Sequence, residues 1–487
     1  MIAAFSAAQV RAAEEALMAQ LPEGELMSRA AAGLAEVCRV RLAERGGRQV
    51  VGLVGPGNNG GDALYALAQL VDAGFPCAAV RGAWAVHEEG LAAAVTAGVE
   101  VVDGTDAAAA AAAIADADLV VDGVLGIGGR PGLPDAAAGW VDAIPVGAYV
   151  VAVDLPSGQD PAGEHATDSG VFADETVTFG VPKPVHLLPA TEPAVGQLTV
   201  VDIGLEVEGK PEVERLGWDD VADLWPVPGA TDDKYSRGVL GIVAGGEDYT
   251  GAPLLCCTAA VEAGVGMVRY VGTPTPTALV RQVVPEAVHG EGRVQAWVVG
   301  PGLDPASRAR GSKAQLDVAR AALDSDLPVL VDAGGLDLVR GHREGPTLLT
   351  PHAGELARLL TRVEGADVTR DDVATRPVDH ARRAADALGA TVLLKGSTTL
   401  VVPPTASGRA VRSQADAPPW LATAGAGDVL AGLAGALLAA GLDPLDAGSL
   451  AALVHGVAAD RANPGGPVRA LAVAHGLPGA VAALLTR

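Results

Sequence analysis

The sequence predicts an α/β protein of two domains, each a mainly parallel sheet with helices on both faces. Three observations carry that prediction. Short apolar runs alternate with alanine-rich stretches along most of the chain. Hydrophobic residues make up 49% of it, yet only 3% are aromatic and 63 are glycine, so the cores must be closely approaching helices and strands of Ala, Val and Leu. The 487 residues also exceed what one ordinary domain needs.

The first stretch, "MIAAFSAAQVRAAEEALMAQ", carries Arg11, Glu14 and Glu15 inside its apolar pattern, which fits an amphipathic helix better than a leader sequence. From Gln49 the elements follow in order: strand "QVVGLVG", helix "DALYALAQLVDAG", strand "PCAAVRG" and a helix from His87 to Ala97. Strand "VEVVDG", helix "DAAAAAAAIADA" and strands "DLVVDGVLG" and "YVVAVDLPSG" come next. This repetition predicts a Rossmann-like, doubly wound sheet, whose ligands sit beyond the C-terminal strand ends. Three of these strands end in "GPGNNGGD", "DGVLGIGGRPG" and "DLPSGQD", so glycines and polar groups gather where that rule expects a site.

After Gly204 the text turns rich in charge, proline and glycine. The expected division is a first domain over residues 1–210, a linker over 211–231 and a second domain over 232–487. The second α/β series runs from "GVLGIVAGGEDYTG" through "AWVVGPGL", "LPVLVDAGG", "TLLTPHAGE" and "TVLLKGSTTLVV", and is expected to end in the long helix after Gly427. The halves share no repeat period.

A formal net charge of -25 opposes binding to nucleic acid or an anionic membrane, both of which need a basic footprint. Cys38, Cys77, Cys256 and Cys257 lack metal spacing and read as buried residues of a reducing compartment. Without a long uninterrupted apolar run, the expectation is a soluble, cytoplasmic protein. A homo-oligomer is expected separately.

Gly55, Gly57 and Gly60 form G-x-G-x-x-G between a strand and a helix, a loop that lets backbone approach a pyrophosphate. A dehydrogenase also wants an acid at the end of the next strand, where this chain has Arg81. What distinguishes the loop is Asn58, Asn59 and Asp62. Taken singly they read as turn and cap residues. Asp122, Asp154 and Ser157 bring further oxygens to neighbouring strand ends, and such an all-oxygen set suits a hard cation of low charge density.

Together "GPGNNGGDAL", "VDGVLGIGGRPG", "VAVDLPSGQD" and "TVTFGVPKP" resemble the NAD(P)H-hydrate epimerase family, over roughly residues 1–204. That family inverts carbon 6 of NADH or NADPH to which water has added. The resemblance implies potassium at Asn59, Asp122 and Ser157, with substrate held by Asn58, Asn59, Gly60, Gly61 and Asp62, by Gly126, Ile127, Gly128, Gly129, Arg130, Pro131 and Gly132, and by Asp154. Asp154 is expected to move the proton. Arg130 stands where some members have lysine, and because arginine stays charged its expected role is electrostatic.

In "ATAGAGDVLAGLAGALL", Asp428 falls in the first turn of a glycine-led helix, whose amides favour a negative ligand. "LLKGSTT" adds Lys395 and hydroxyls, and "TPHAGE" adds His352 and Glu355, but no Walker motif occurs. A carboxylate beside an anion-holding helix terminus suits phosphoryl transfer to a hydroxyl. With "KYSRGVLGIVAGGEDYTGAP" and "VVGPGLD", these motifs resemble the ADP-dependent NAD(P)H-hydrate dehydratase family of the ribokinase-like fold, over residues 232–487. The resemblance implies hydrate contacts at Ala252, Gly302, His352 and Asp428. It also implies nucleotide contacts at Lys395, Gly396, Ser397, Thr398, Thr399 and Gly427, with magnesium and ADP. Ala424 and Ala426 depart from the family's paired glycines and hydroxyl residue.

The expected function is therefore repair of hydrated NAD(P)H by a fused epimerase and dehydratase, with Asp154, Arg130 and Asp428 nearest the chemistry. The rival is a vitamin or sugar kinase with an N-terminal dinucleotide-sensing domain.

Overall fold

The computed structural model describes residues 1–486, so Arg487 of the expected second domain lies outside the described residues. The chain divides into two compact units, Ala3–Val213 and Glu214–Arg487, the latter joined by Met1–Ile2. The division does not fall in a free linker. Of residues 211–231, Val213–Arg215 form a strand and Asp220–Leu224 a helix, while Leu216, Val221 and Trp225 are buried in the second unit's core. Apolar side chains buried behind the charged text override its loop-like composition.

The first unit holds a seven-stranded sheet that is parallel throughout. Its first strand, Val50–Val54, lies between Cys77–Arg81 and Leu119–Gly123, with Glu100–Asp103 beyond the former. Tyr149–Val153, Glu175–Phe179 and Gln197–Val201 follow beyond the latter. The order reverses beside Val50–Val54, which is where a doubly wound sheet opens a crevice. Val50–Val54 and Leu119–Gly123 are buried at every position, as strands covered on both faces must be. The N-terminal amphipathic pattern forms the helix Ala7–Met18, capped by the Ser6 hydroxyl and Gln9 in a capping box.

In the second unit Val239–Val243 lies between Met267–Val271 and Ala296–Val299, with Val288–His289 at the edge beyond the former. The sheet continues in parallel through Val329–Val331, Thr347–Leu349 and Thr391–Leu394, then turns antiparallel through Thr399–Val402 and Val411–Gln414. Its parallel part thus repeats the order of the first unit, with the switch point beside Val239–Val243. The helix after the second glycine loop is Ala426–Ala439, buried almost throughout because Gly432 lets it meet the backbone of Cys256. The chain does not end there, since helices Pro444–Ala462 and Ala470–Leu485 complete that layer. Their alanine-rich text continues the same pattern, and the first is set off from what precedes it only by a short turn through Gly441, at φ 101, and the capping Asp443 before Pro444. No helix among the described residues is long and apolar enough to cross a membrane.

Candidate active sites

The loop after Val50–Val54 leads into the helix Asn58–Asp72, whose N-cap Gly57 has φ 78. Gly60 and Gly61 are packing positions. A Cβ on Gly60 would sit 2.1 Å from the Gly55 carbonyl oxygen, and one on Gly61 would press on the His87 ring. Asn58, Asn59 and Asp62 instead face a cavity of about 530 Å³, shared with Gly126, Ile127, Gly128, Gly129 and Asp154. Arg130, Pro131 and Gly132 lie outside it, and Arg130 is exposed. In this arrangement the Arg130 guanidinium is exposed, and the carboxylate's immediate partner is another cation.

The cation beside Asp154 is Lys183, from the "GVPKP" stretch. Its ammonium lies 2.5 Å from Asp154 Oδ1 and 2.8 Å from the Thr178 hydroxyl, and the residue is 1% exposed. Asp154 itself has φ 65, a left-handed conformation that a non-glycine residue keeps only when its surroundings impose it. Here its N–H donates to the Val177 carbonyl, and its own carbonyl accepts from His186 Nε2 at 2.7 Å. His186 Nδ1 accepts the Lys183 N–H at 2.9 Å, so one buried imidazole joins the two halves of the ion pair. Burial and the Lys183 charge push His186 down to about 4, so it is neutral. Burial alone would raise the Asp154 carboxyl, but Lys183 outweighs it and holds the carboxyl below its ordinary value. Asp62 goes the other way: burial, then the charges of Asp154 and Glu14, push it well above the usual carboxylate range.

Asn59, Asp122 and Ser157 do come together. Asn59 Nδ2 donates to the Leu125 and Val153 carbonyls at 3.0 and 2.8 Å, while the Ser157 hydroxyl donates to Asp122 Oδ1 at 2.6 Å. The Leu125 N–H bonds that hydroxyl in turn. The set is all oxygen, with a single carboxylate that burial raises to about 6. Such a donor set fits a monovalent cation better than a divalent one.

In the second unit Asp428 stands in the first turn of Ala426–Ala439, behind the N-cap Gly425 at φ 89. Lys395, just past the strand Thr391–Leu394, reaches Asp332 Oδ1 at 2.7 Å and Glu355 Oε2 at 3.7 Å. A Cβ on Gly427 would lie 3.4 Å from the Lys395 ammonium, so the glycine leaves that charge open to a ligand above the helix terminus. Burial raises Asp428 to about 7, with Asp332 adding to the rise and Lys395 opposing it. Asp332 was not singled out by its sequence, where it reads as one more acid ending an apolar strand.

His352 is exposed and accepts the Gly354 and Glu355 N–H groups as the N-cap of Ala353–Glu364, while Glu355 bonds the His352 N–H in return. It also bridges to Lys395, whose N–H donates to the Pro351 carbonyl. Gly302, at φ 63, packs on Ala252 at the switch point, where a Cβ would lie 2.8 Å from that of Ala252. Gly396 and Ser397 are exposed, Thr398 is buried and Thr399 opens the next strand. Ala424 is exposed and Ala426 is buried as the first helical residue.

Residues 23–185 match a family described as YjeF-related protein N-terminus, and residues 240–471 one described as NAD(P)H-hydrate dehydratase. The bifunctional NAD(P)H-hydrate repair enzyme Nnr of Mycobacterium leprae (strain TN) is 44% identical, over 95% of this chain and 94% of its own. That of Mycobacterium tuberculosis (strain ATCC 25618 / H37Rv) is 45% identical over 90% and 89%. A solved ADP/ATP-dependent NAD(P)H-hydrate dehydratase from Bacillus subtilis, co-crystallised with ATP/Mg2+, is 26% identical with a TM-score of 0.49, covering 56% of this chain and 99% of that one. With relatives of that identity matched over about nine-tenths of both chains, the chain belongs to the family of bifunctional NAD(P)H-hydrate repair enzymes, its epimerase part preceding its dehydratase part.

Proposed function

We propose that the first unit interconverts the R and S forms of hydrated NADH and NADPH in the cavity headed by Asp154, and that the second dehydrates the S form at the loops of Asp428 and Lys395, consuming ADP and releasing AMP and phosphate. The observation that carries the first half is a buried, cation-paired carboxylate in left-handed backbone, opening on about 530 Å³ beside a glycine loop. Such backbone persists at functional sites because the surroundings over-determine it. Asp154 exchanges the proton, and Asn58 with the Gly126–Gly129 loop orients the ring and phosphates.

Potassium would be held by Asn59, Asp122 and Ser157, and when bound it supplies positive charge beside the glycine loop and the buried Asp122 carboxylate. Asn59 and Ser157 also tie the two loops together through Leu125.

In the second unit Asp428 accepts the proton of the carbon 6 hydroxyl as that oxygen takes a phosphoryl group. Lys395 and the Gly425–Gly427 amides neutralise the charge that develops. Phosphate then leaves carbon 6 as a proton leaves carbon 5, which restores the nicotinamide double bond. Ala252, Gly302 and His352 border the hydrate, and the stretch from Lys395 to Thr399 borders the nucleotide. No cluster of three acidic, His or Cys ligands occurs among the described residues, which is compatible with magnesium held mainly by nucleotide phosphates. When bound, it screens the charge of the transferring group. Four free, buried cysteines are consistent with a reducing cytoplasm, and a homo-oligomer is the proposed assembly.

The test supplies mixed hydrate epimers with ADP, magnesium and potassium and follows the return of nicotinamide absorbance. Complete conversion is expected. Conversion that halts once the S form is consumed refutes the first half, and a phosphorylated vitamin or sugar as the accumulating product would revive the kinase reading.

A further inference from the structure

The cavity of the first unit holds a second buried carboxyl, Asp62, expected so far only to hold substrate and given no part in proton transfer. Asp62 is 7% exposed, as is Asp154, and both open on the same space. Unlike Asp154, whose carboxylate takes bonds from Lys183 and Thr178, the Asp62 carboxyl has no hydrogen bond or ion pair among the described residues. The charged groups that face it are Asp154 and Lys183 at the strand ends and Glu14 on the helix Ala7–Met18, where Arg11 also borders the cavity. We infer that Asp62 donates and Asp154 accepts the proton in epimerisation, acting on a hydrate ring that opens and recloses. The inference rests on the reading of this cavity as the epimerisation site.

The two environments divide the roles. A buried carboxyl without partners, facing two other acids, favours its neutral form, whereas one held by an ammonium and a hydroxyl favours its ion. Two carboxyl groups pushed apart in this way are an acid and a base side by side. The shifts of Asp62 and Asp154 have those signs.

The chemistry balances without a co-reactant. Asp154 takes the proton of the carbon 6 hydroxyl, the C–O bond becomes a carbonyl, and the bond from carbon 6 to the ring nitrogen breaks. Its electron pair stays on nitrogen, in conjugation with the ring double bond and the carboxamide, and nitrogen takes the proton of Asp62. Rotation presents the other face of the aldehyde. The nitrogen then adds back, returning its proton to Asp62, and the new alkoxide recovers the proton from Asp154. Each carboxyl regains its starting form. In the alternative, Asp62 protonates the hydroxyl that leaves as water and Asp154 takes a proton from the water that adds to the other face, so each turnover ends with Asp62 ionised and Asp154 protonated, and the carboxyls are not regenerated without a further proton transfer.

The test uses the full-length enzyme and pure R hydrate without ADP, with epimers separated by chromatography. In Asp62→Asn, which keeps size but has no transferable proton, kcat for epimerisation is expected to fall about 100-fold or more with little change in KM. Dehydration of pure S hydrate should persist, and Asp62→Glu should recover part of the lost rate. Wild-type epimerisation should decline on the alkaline side as Asp62 ionises. Hydrate carrying heavy oxygen on carbon 6 should keep its label through repeated inversion. A wild-type rate in Asp62→Asn, a flat alkaline profile in the wild type, or exchange of the label with solvent at every inversion overturns the inference. The last two measurements decide it even if the variant misfolds. A wild-type enzyme that inverts nothing instead removes the assignment of the cavity itself.

Discussion

Replacing Lys183 by Met tests whether the first site rests on a buried charge pair. The ammonium is the only cation in hydrogen-bond reach of Asp154 among the described residues, at 2.5 Å, and both side chains are almost wholly buried. Methionine nearly fills the volume, so packing changes little while the carboxylate loses its counter-ion. Breaking a buried pair from one side destabilises by about 3–5 kcal/mol, because an uncompensated charge remains. The Thr178 hydroxyl, 3.0 Å from the same oxygen, stays in place, which puts the expectation near the lower bound. The sign with pH is fixed by the direction of the shift. In the wild type the Asp154 pKa is depressed, so its stabilisation is present above the unfolded value of about 3.9 and is lost as pH falls through the folded value. In the variant, burial dominates and the pKa rises, so acidification neutralises the stranded charge and the penalty shrinks. Two units make global unfolding a poor measure. The assay is therefore hydrogen exchange of Tyr149–Val153 and Glu175–Phe179 amides, read as opening free energies at neutral and mildly acidic pH. Adding Asp154→Asn should restore most of the loss. A penalty under about 1 kcal/mol, as for a surface pair, or one that ignores pH, would refute the reasoning.

Three further outcomes follow from the same structure. Asp428→Asn should lower ADP-driven dehydration by about two to four orders of magnitude while epimer exchange continues, and loss of both activities would deny two separate sites. Dehydration of pure S hydrate should show an acidic limb centred near the Asp428 value of about 7, and Asp332→Asn, by removing a charge that raises it, should move that limb to lower pH. In a salt titration the wild-type first unit is expected to gain amide protection from potassium over sodium, and Ser157→Ala, which removes a hydroxyl bonded to both Asp122 and Leu125, is expected to gain none.

The parallel, doubly wound character of the first sheet was legible because its strands are short apolar runs with helical text between them, and the end of the sheet that carries the site followed from where glycines and polar groups ended strands; the strand order and its switch point come from the structure. The elements inside the expected linker were not legible. Val213, Leu216, Val221 and Trp225 are scattered among charges, and one side of a strand or a helical turn too short to show a period leaves little trace in composition. The two parallel sheets also share one strand order although their sequences share no period, since topology constrains where helices cross and not which residues line them.

The sites divide along the same physical line. Groups carried by one glycine loop, such as Asn58 through Asp62 or Gly425 through Asp428, are legible because the loop and its chemistry are contiguous. Partners brought from elsewhere in the chain are not: Lys183 comes from a segment 29 residues past Asp154, and Asp332 meets Lys395 across 63 residues. The sequence does place a cation near the first carboxylate, but at Arg130, which is exposed and does not line the cavity. An exposed guanidinium could not depress the pKa of a buried carboxylate as an ammonium at 2.5 Å does. The sequence shows what each loop can offer a ligand, but the buried counter-charge that sets which acid is ionised emerges only when distant strand ends are packed side by side.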